Sequence, residues 1–450
     1  MKRISTLILA GLMAASLTQI PAASFAATAT VAVSPSDASE ISTAYDHLTT
    51  DFYKKVDPQV VLDSVRTELL AAMRTAGVKN ASLPVMHASG LANANTHAID
   101  HEVSTAAGEA GSKISPHVLS YVALDGMLNA VHDRYTVFLS PKEYAGLNSD
   151  LDGGDFGGTG IVIQIDEATK LISVSNVVPD GPADKAGVQQ DDLITAIDGT
   201  STKGLTIQQA SSKLRGKEGT SVTLSIQRSG AAIAPVALTR AKIHQLSVYG
   251  KMLPGKIGYV ALTVFGRDTG AELDTALGRL QQQGARAVIM DLRGNGGGYL
   301  NAAVDVSSKF IPSGPIVSVE SRASNITTLE ANNTAIDPLP LVVLVDKYTA
   351  SASEITSGAI QDDGVGELVG EKTYGKGVVQ TIHPLPDGSA VKITSARYLT
   401  PKGRDINLIG IQPDIVSIEP KTSKYGDPTT DPQLQSAITY LQGKIAQTGM

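Results

Sequence analysis

Two runs in the carboxyl-terminal half constrain the fold most: ARAVIMDL (285–292) and LVVLVD (341–346) are nearly continuous in apolar, β-favouring residues. Strands that read this way are covered on both faces, which calls for a parallel sheet between helices. KIGYVALTVF (256–265) is a third apolar run, and helical segments separate the three. In such βαβ units, functional residues collect in the loops at the carboxyl ends of the strands.

Two of those loops are unusual. After Leu292 comes RGNGGG, whose Gly296, Gly297 and Gly298 lead into the helix-like YLNAAVDVSSKF; after Asp346 comes KYTASASEITSGAI. A glycine-rich turn at a helix start gathers unpaired N–H groups beside the positive end of the helix dipole, which suits a phosphate or a developing oxyanion. Ser351, between Ala350 and Ala352, would start its own helix. Each feature also has an ordinary reading, because Ser is a common helix cap and Gly a common turn residue. A third segment, GEKTYGKGVVQ (370–380), nearly matches a nucleotide-binding loop at Gly370, Gly375 and Lys376. Gly377 stands where Ser or Thr would hold magnesium, and β-favouring VVQTI replaces the required helix, so nucleotide hydrolysis is not expected. A lysine bracketed by glycines beside an apolar strand has another use: desolvated, it loses its proton and serves as a base.

Between residues 153 and 240 the texture changes to short β-like runs: GIVIQI, LISVSNV, DLITAI and SVTLSI. One helix is clear there, with Thr206 and Gln209 as a capping box and Ile207, Ala210 and Leu214 on one face. GPADKAG followed by DDLITAIDG resembles a PDZ domain. In FGGTGI (156–161), Gly157, Gly158 and Gly160 lack Cβ atoms, so backbone N–H groups can converge on a peptide carboxylate while the next strand offers an edge for pairing. The expected peptide site comprises Gly158, Thr159, Gly160, Ile161, Ile163, Ile207 and Leu214. Alone, the glycines would read as a hairpin that binds nothing.

The amino terminus reads as an address. Lys2 and Arg3 precede the apolar run Ile4 to Leu17, then Pro21 leads into AASFAA, the pattern of a secretory signal peptide with cleavage near Ala26 or Ala27. Left uncleaved, it would be a peripheral membrane anchor. Residues 28–43 read as a linker. A helix is expected from Asp57 as cap and Pro58 as first residue, through Val61, Leu62, Val65, Leu69 and Met73 to Gly77; 78–111 is weakly periodic, and 116–131 is helical again. His87, His97 and His101 lack a ligand spacing and read as surface histidines, so no metal or cofactor is expected. DPQLQSAITYLQGKI (431–445) presents a helical stripe that could cover the core or build a homodimer, the dimer slightly favoured. With 37 Lys plus Arg against 44 Asp plus Glu, net charge −7, no basic field exists to attract nucleic acid. Zero cysteines exclude disulfides, thiol nucleophiles and an amino-terminal lipid-bearing Cys.

Taken together, TASASEI (349–355), the lysine twenty-five residues beyond Ser351 in YGKG, the Gln four beyond that lysine, and DLRGNGGG resemble the carboxyl-terminal processing peptidases, or tail-specific proteases. HDRYTVFLSPKEY (132–144), SARYLTPKGRDI (395–406) and GIQPD (410–414) extend the similarity over about 118–442. The resemblance implies an α/β fold with a crotonase/Clp-protease-like core, an inserted β-rich PDZ domain and a helical amino-terminal segment. It implies Ser351 as nucleophile, Lys376 as general base, Gln380 as its orienter, and Gly297 and Ala352 as oxyanion donors; Ser353 competes as nucleophile. Family members often carry Asn-Pro in the glycine turn, where this chain has Gly294, Asn295 and Gly296, which leaves the Gly297 assignment open by a residue. Asp346 and Lys347 replace an Asn-containing lead-in.

The expected organisation is a signal peptide (1–26), a linker and helical region (27–150), a PDZ domain (151–243), a Ser-Lys peptidase core (244–420) and a carboxyl-terminal helical segment (421–450). The expected function is that of an endopeptidase of the bacterial periplasm or cell envelope, selecting protein substrates by their carboxyl termini, with an adaptor protein as a further partner. The contrasting expectation is an inactive PDZ scaffold.

Overall fold

The computed structural model describes residues 33–448 apart from 152–155, 167, 179–180, 190, 244–245, 323–324 and 419–425. The expected signal peptide, with its cleavage site, lies outside the described residues.

The amino-terminal region is built from α1 (Pro35–Asp51), α2 (Pro58–Thr75), α3 (Ala92–Ala110), α4 (Pro116–Asn129), strand β1 (Val137–Leu139) and α5 (Pro141–Leu151). Asp57 caps α2 as expected, accepting the Gln59 N–H at 2.9 Å. Two expectations need correction. The linker reading of 28–43 fails from Pro35 onward, because Ser34 accepts the Asp37 N–H and Ile41, Ala44, Tyr45 and Leu48 give α1 a buried face. The weakly periodic 78–111 contains α3, whose buried face includes Ile99, Val103, Ala106, Ala107 and Ala110. Alanines pack closely without producing a strong hydropathy pattern, which is why the period was faint. Helices α1 to α4 share one apolar core with Leu385, Val391 and Ile393, contributed from far along the chain.

The central module comprises β2 (Phe156–Gly158), β3 (Ile161–Ile165), β4 (Ile172–Val177), α6 (Pro182–Lys185), β5 (Leu193–Ile197), β6 (Thr200–Ser201), α7 (Ile207–Leu214), β7 (Ser221–Arg228), β8 (Ala231–Ala232), β9 (Val236–Thr239) and β10 (Ala241–Ile243). Its sheet runs β3-β4-β5-β7-β8, with β6 beside β5 and β9 beside β7, and β2 pairs with β10 where the chain enters and leaves. The Thr206–Gln209 capping box starts α7 as expected.

The remainder comprises β11 (Val248–Leu253), β12 (Ile257–Leu262), α8 (Thr269–Gln282), β13 (Ala287–Asp291), α9 (Leu300–Ser307), β14 (Pro315–Ser321), β15 (Ile326–Glu330), β16 (Leu341–Val345), α10 (Ala352–Asp363), β17 (Glu367–Gly370), β18 (Val378–Pro384), β19 (Ala390–Leu399), β20 (Ile415–Val416) and α11 (Pro432–Thr448). One sheet has the order β11-β12-β13-β16-β17-β20, parallel except for the edge strand β11. Every residue of β13 and β16 is buried. Helices α8, α9 and α10 cover one face. On the other, Leu434, Ala437, Leu441 and Ile445 of α11 pack against Ile289, Val342 and Leu344. The α11 stripe offered to a dimer is therefore buried within its own chain. A second sheet, β1-β19-β14-β15 with β18 beside β19, joins the helical region to this core.

Candidate active site

Strand β16 delivers Asp346 to the top of the parallel sheet, where its buried carboxylate organises both unusual turns. Oδ1 accepts the Gly294 N–H at 3.0 Å from the glycine turn, and the Tyr348 and Thr349 N–H groups at 2.9 Å each from the turn before Ser351. Asp346 thus substitutes for the Asn-containing lead-in without loss of order. Asn295 adds a second tie: its carbonyl accepts the Ala350 N–H at 3.1 Å and the Ser353 hydroxyl at 3.0 Å. Ser353 is fully buried and engaged there, which removes it as a competitor for an exposed substrate.

Ser351 sits between that turn and α10 with φ 59° and ψ −118°. A non-glycine residue in this region is strained, and such strain persists only where surrounding contacts impose it. The main contact is Glu354, a residue missed by the sequence reading although Ser351-x-x-Glu354 has capping-box spacing. Its buried carboxylate accepts the Ser351 N–H at 3.0 Å and the Lys376 N–H at 2.8 Å on Oε2, and the Gly375 N–H at 2.7 Å and Thr373 hydroxyl at 2.6 Å on Oε1. One buried anion therefore fixes the serine turn and the lysine loop together.

Gly297 approaches the serine closely, with φ 99°; a Cβ there would lie 2.8 Å from both Ser351 Cβ and Ala352 N. Only glycine fits. The expected oxyanion pair is nevertheless half engaged, because the Gly297 N–H donates to Asn295 Oδ1 at 2.9 Å in an Asx turn. The Ala352 and Gly298 N–H groups have no hydrogen-bond partner among the described residues. Ala352 begins α10, so its N–H points out of the helix at the positive end of the dipole.

Ser351, Lys376, Gln380, Gly297 and Ala352 all line one cleft of about 520 Å3. Burial lowers the Lys376 amine to about 8, helped by the positive charge of Lys392 and opposed by Glu354 and Asp133. Its Nζ lies 4.9 Å from the Tyr135 ring centroid, in the HDRYTVF stretch, and makes no ion pair or hydrogen bond among the described residues. Among the described residues the orienting bond expected from Gln380 is absent: its Nε2 is buried without a partner there. A β-bulge between Val379 and Gln380 shifts the register of β18 here, so counting four residues from the lysine does not fix the amide's direction.

The apolar residues of the expected peptide site gather in the central module's core beside its edge strand β3. Strand β3 is the outer strand of its sheet, and Ile161, Ile163 and Ile207 pack on the module's core beside buried Leu214. At its start, the Thr159 and Gly160 N–H groups have no hydrogen-bond partner among the described residues, and Gly160 has φ 74°. Gly158 ends β2, where a Cβ would strike the Phe156 ring at 2.6 Å.

A strained serine at a helix start, a burial-depressed lysine in the same cleft and a separate peptide-binding module define a serine-type peptidase. Residues 256–417 match the family described as peptidase family S41, and 173–228 match the PDZ domain. The carboxyl-terminal-processing protease of Synechocystis is 36% identical over 73% of this chain and 78% of its own length. The solved photosystem II D1 C-terminal processing protease is 30% identical, covering 86% of this chain and 94% of that one, with a TM-score of 0.46. A solved structure from Bacteroides fragilis is 16% identical, covers 83% of this chain and 97% of that one, and has a TM-score of 0.52. The chain belongs to peptidase family S41 and is a serine-type peptidase with a PDZ domain that binds protein or peptide substrates.

Proposed function

We propose that this chain is an exported endopeptidase that selects proteins by their carboxyl-terminal tails and cuts them with Ser351 and Lys376. The observation that carries the reading is the shared cleft: a serine held in a strained turn by Glu354 faces the same cavity as a lysine whose charge is disfavoured by burial. In this mechanism neutral Lys376 takes the Ser351 proton as the oxygen attacks the scissile carbonyl. The Ala352 N–H and the glycine turn hold the oxyanion, Gly297 contributing once its N–H leaves Asn295. Lys376 then protonates the leaving amine, and water hydrolyses the acyl-enzyme. Gln380 acts by reorienting to Lys376 when substrate fills the cleft.

The open edge of β3 and the unpartnered Thr159 and Gly160 N–H groups support recognition of a free carboxylate, and the Synechocystis relative's name as a carboxyl-terminal-processing protease supports the same substrate class. The amino-terminal Lys-Arg, apolar run and AASFAA sequence support export, with the periplasm or cell envelope as the compartment. The test compares a protein bearing an apolar carboxyl-terminal tail with its carboxamide. Faster cleavage of the free acid by the wild type, and none by Ser351→Ala, is expected. Equal rates on both substrates would overturn tail reading, and undiminished cleavage by Ser351→Ala would overturn the nucleophile. Fractionation of cells followed by amino-terminal sequencing tests export, which fails if the intact leader is found in the cytoplasm.

A further inference from the structure

Strand β19 turns a second lysine toward the catalytic cleft. Val391 and Ile393 are fully buried in the core of the helical region, so the alternation of a strand directs Lys392, between them, to the opposite face. On that face Lys392 lines the cleft together with Ile382, its partner across the β18–β19 ladder, and with Gln380, two residues earlier on β18. A strand register, rather than a loop, therefore fixes its place.

Lys392 is a half-buried cation that makes no hydrogen bond or ion pair among the described residues. Asp133, the carboxylate whose charge reaches it, is engaged elsewhere: its Oδ2 accepts the hydroxyl of Thr136 at 2.8 Å and that of Thr394. Among the described residues no Asp or Glu lines the cleft, whereas two amines do. Burial disfavours the ammonium form of both. Lys376 has to be neutral to act as base, so Lys392 is the cation left to meet a ligand. An ammonium drawn out of water without a counter-ion is costly, and a ligand that brings an anion relieves that cost. The opposite character is supplied by Leu147 and Leu151 of α5 and by Leu300, which face the same cavity. The cleft thus offers one apolar wall and one cationic wall to the chain that Ser351 attacks.

We propose that Lys392 is a specificity-determining residue that binds a substrate carboxylate, the side chain of an Asp or Glu flanking the scissile bond. This rests on the peptidase reading and deepens it, because it names the sequence around the cut, which recognition of a distant tail leaves open. The ammonium N–H groups donate charge-assisted hydrogen bonds to the carboxylate, and exchanging the acid for its amide removes the charge while keeping the shape. A free chain end carries the same chemical group, and the test separates the two sources.

The test gives the full-length enzyme a protein with an apolar free-acid tail, in which each residue flanking the cleavage point is changed in turn to Glu, Gln or Lys. Wild type should cut the best Glu substrate with a kcat/KM about 10-fold or more above that of its Gln counterpart. This preference should vanish in Lys392→Met, persist in Lys392→Arg and turn toward the Lys substrate in Lys392→Glu. Taking the ratio within each variant cancels any effect of the substitution on Lys376 or on folding. A binding arm needs no turnover: by fluorescence anisotropy, Ser351→Ala should hold a short Glu-containing carboxamide peptide more tightly than the Gln peptide, and adding Lys392→Met should abolish the difference. Equal wild-type rates on Glu and Gln at every position, a Glu preference that survives Lys392→Met, or an anisotropy difference confined to free-acid peptides overturns the assignment and leaves the chemistry of Ser351 untouched. Undiminished cleavage by Ser351→Ala overturns instead the peptidase reading beneath it.

Discussion

Glu354 Oε2 accepts the backbone N–H of Lys376 at 2.8 Å, and the same oxygen receives the Ser351 N–H at 3.0 Å. Ser351 and Lys376 thus reach the cleft on two loops that share one buried anion. Glu354→Gln puts an amide NH2 where one pair of donors now converges, leaving buried N–H groups unmatched. The expected loss is about 2–4 kcal/mol of stability and at least about 100-fold in kcat, with KM for peptide little changed. Chemical denaturation and steady-state kinetics check it; wild-type kcat would show that the clamp does not position the serine.

The proposed role of Lys376 as base predicts a pH dependence. Its amine must be neutral to accept a proton, and burial brings it to about 8, so kcat/KM should rise with pH through about 8 and flatten above. An acid limb centred near pH 6 would point to another base.

The same burial costs stability. Because the folded pKa, about 8, lies below the ordinary 10.5, the unfolded chain holds more protons between these values, and stability rises with pH across that window. Below about pH 8 the folded protein bears a buried ammonium. Lys376→Met should therefore be inactive yet more stable by about 1–3 kcal/mol at pH 7. Lys376→Arg should be inactive without that gain, since a guanidinium stays charged. Thermal melts beside peptide hydrolysis measure both.

Gly297→Ala introduces a Cβ within 2.8 Å of Ser351 Cβ and Ala352 N, at a φ of 99°. The turn must retreat, and with it the oxyanion contact. A fall of about 100-fold or more in kcat is expected while an apolar-tailed peptide still binds, as read by fluorescence anisotropy. Gly294→Ala should instead act through its φ of 69° alone, since a Cβ there meets nothing within 4 Å, and cost stability more than turnover.

Arg293, two residues beyond β13, is buried between Asp291 and Asp431 at 2.6 and 2.7 Å. Asp431 also accepts the Leu434 N–H at 2.8 Å at the start of α11. Arg293→Met leaves two buried carboxylates without their cation and should cost about 3–5 kcal/mol, seen as a lowered denaturation midpoint.

The parallel core was legible because β16 is apolar at every position and β13 at every position but its last, Asp291, a local signal that needs no partner to be read. The turns that carry Ser351 and Lys376, and the PDZ module, were legible because their caps and glycines are encoded in short stretches. Gln380 and Gly297 show where that reasoning stops. Both line the cleft that Ser351 lines, but a β-bulge leaves the Gln380 Nε2 without a partner among the described residues and an Asx turn occupies the Gly297 N–H.

By itself the sequence determined the elements and the chemical types delivered to the site: strands from apolar continuity, helix starts from Asp57, Thr206 and Ser351, glycines where backbone must approach backbone. Tertiary structure alone decided which groups meet. Asp346 with Gly294, Glu354 with Lys376 and α11 against its own sheet are pairings across long intervening segments. Their energies come from burial and desolvation, which depend on everything packed around them and leave no period in the chain.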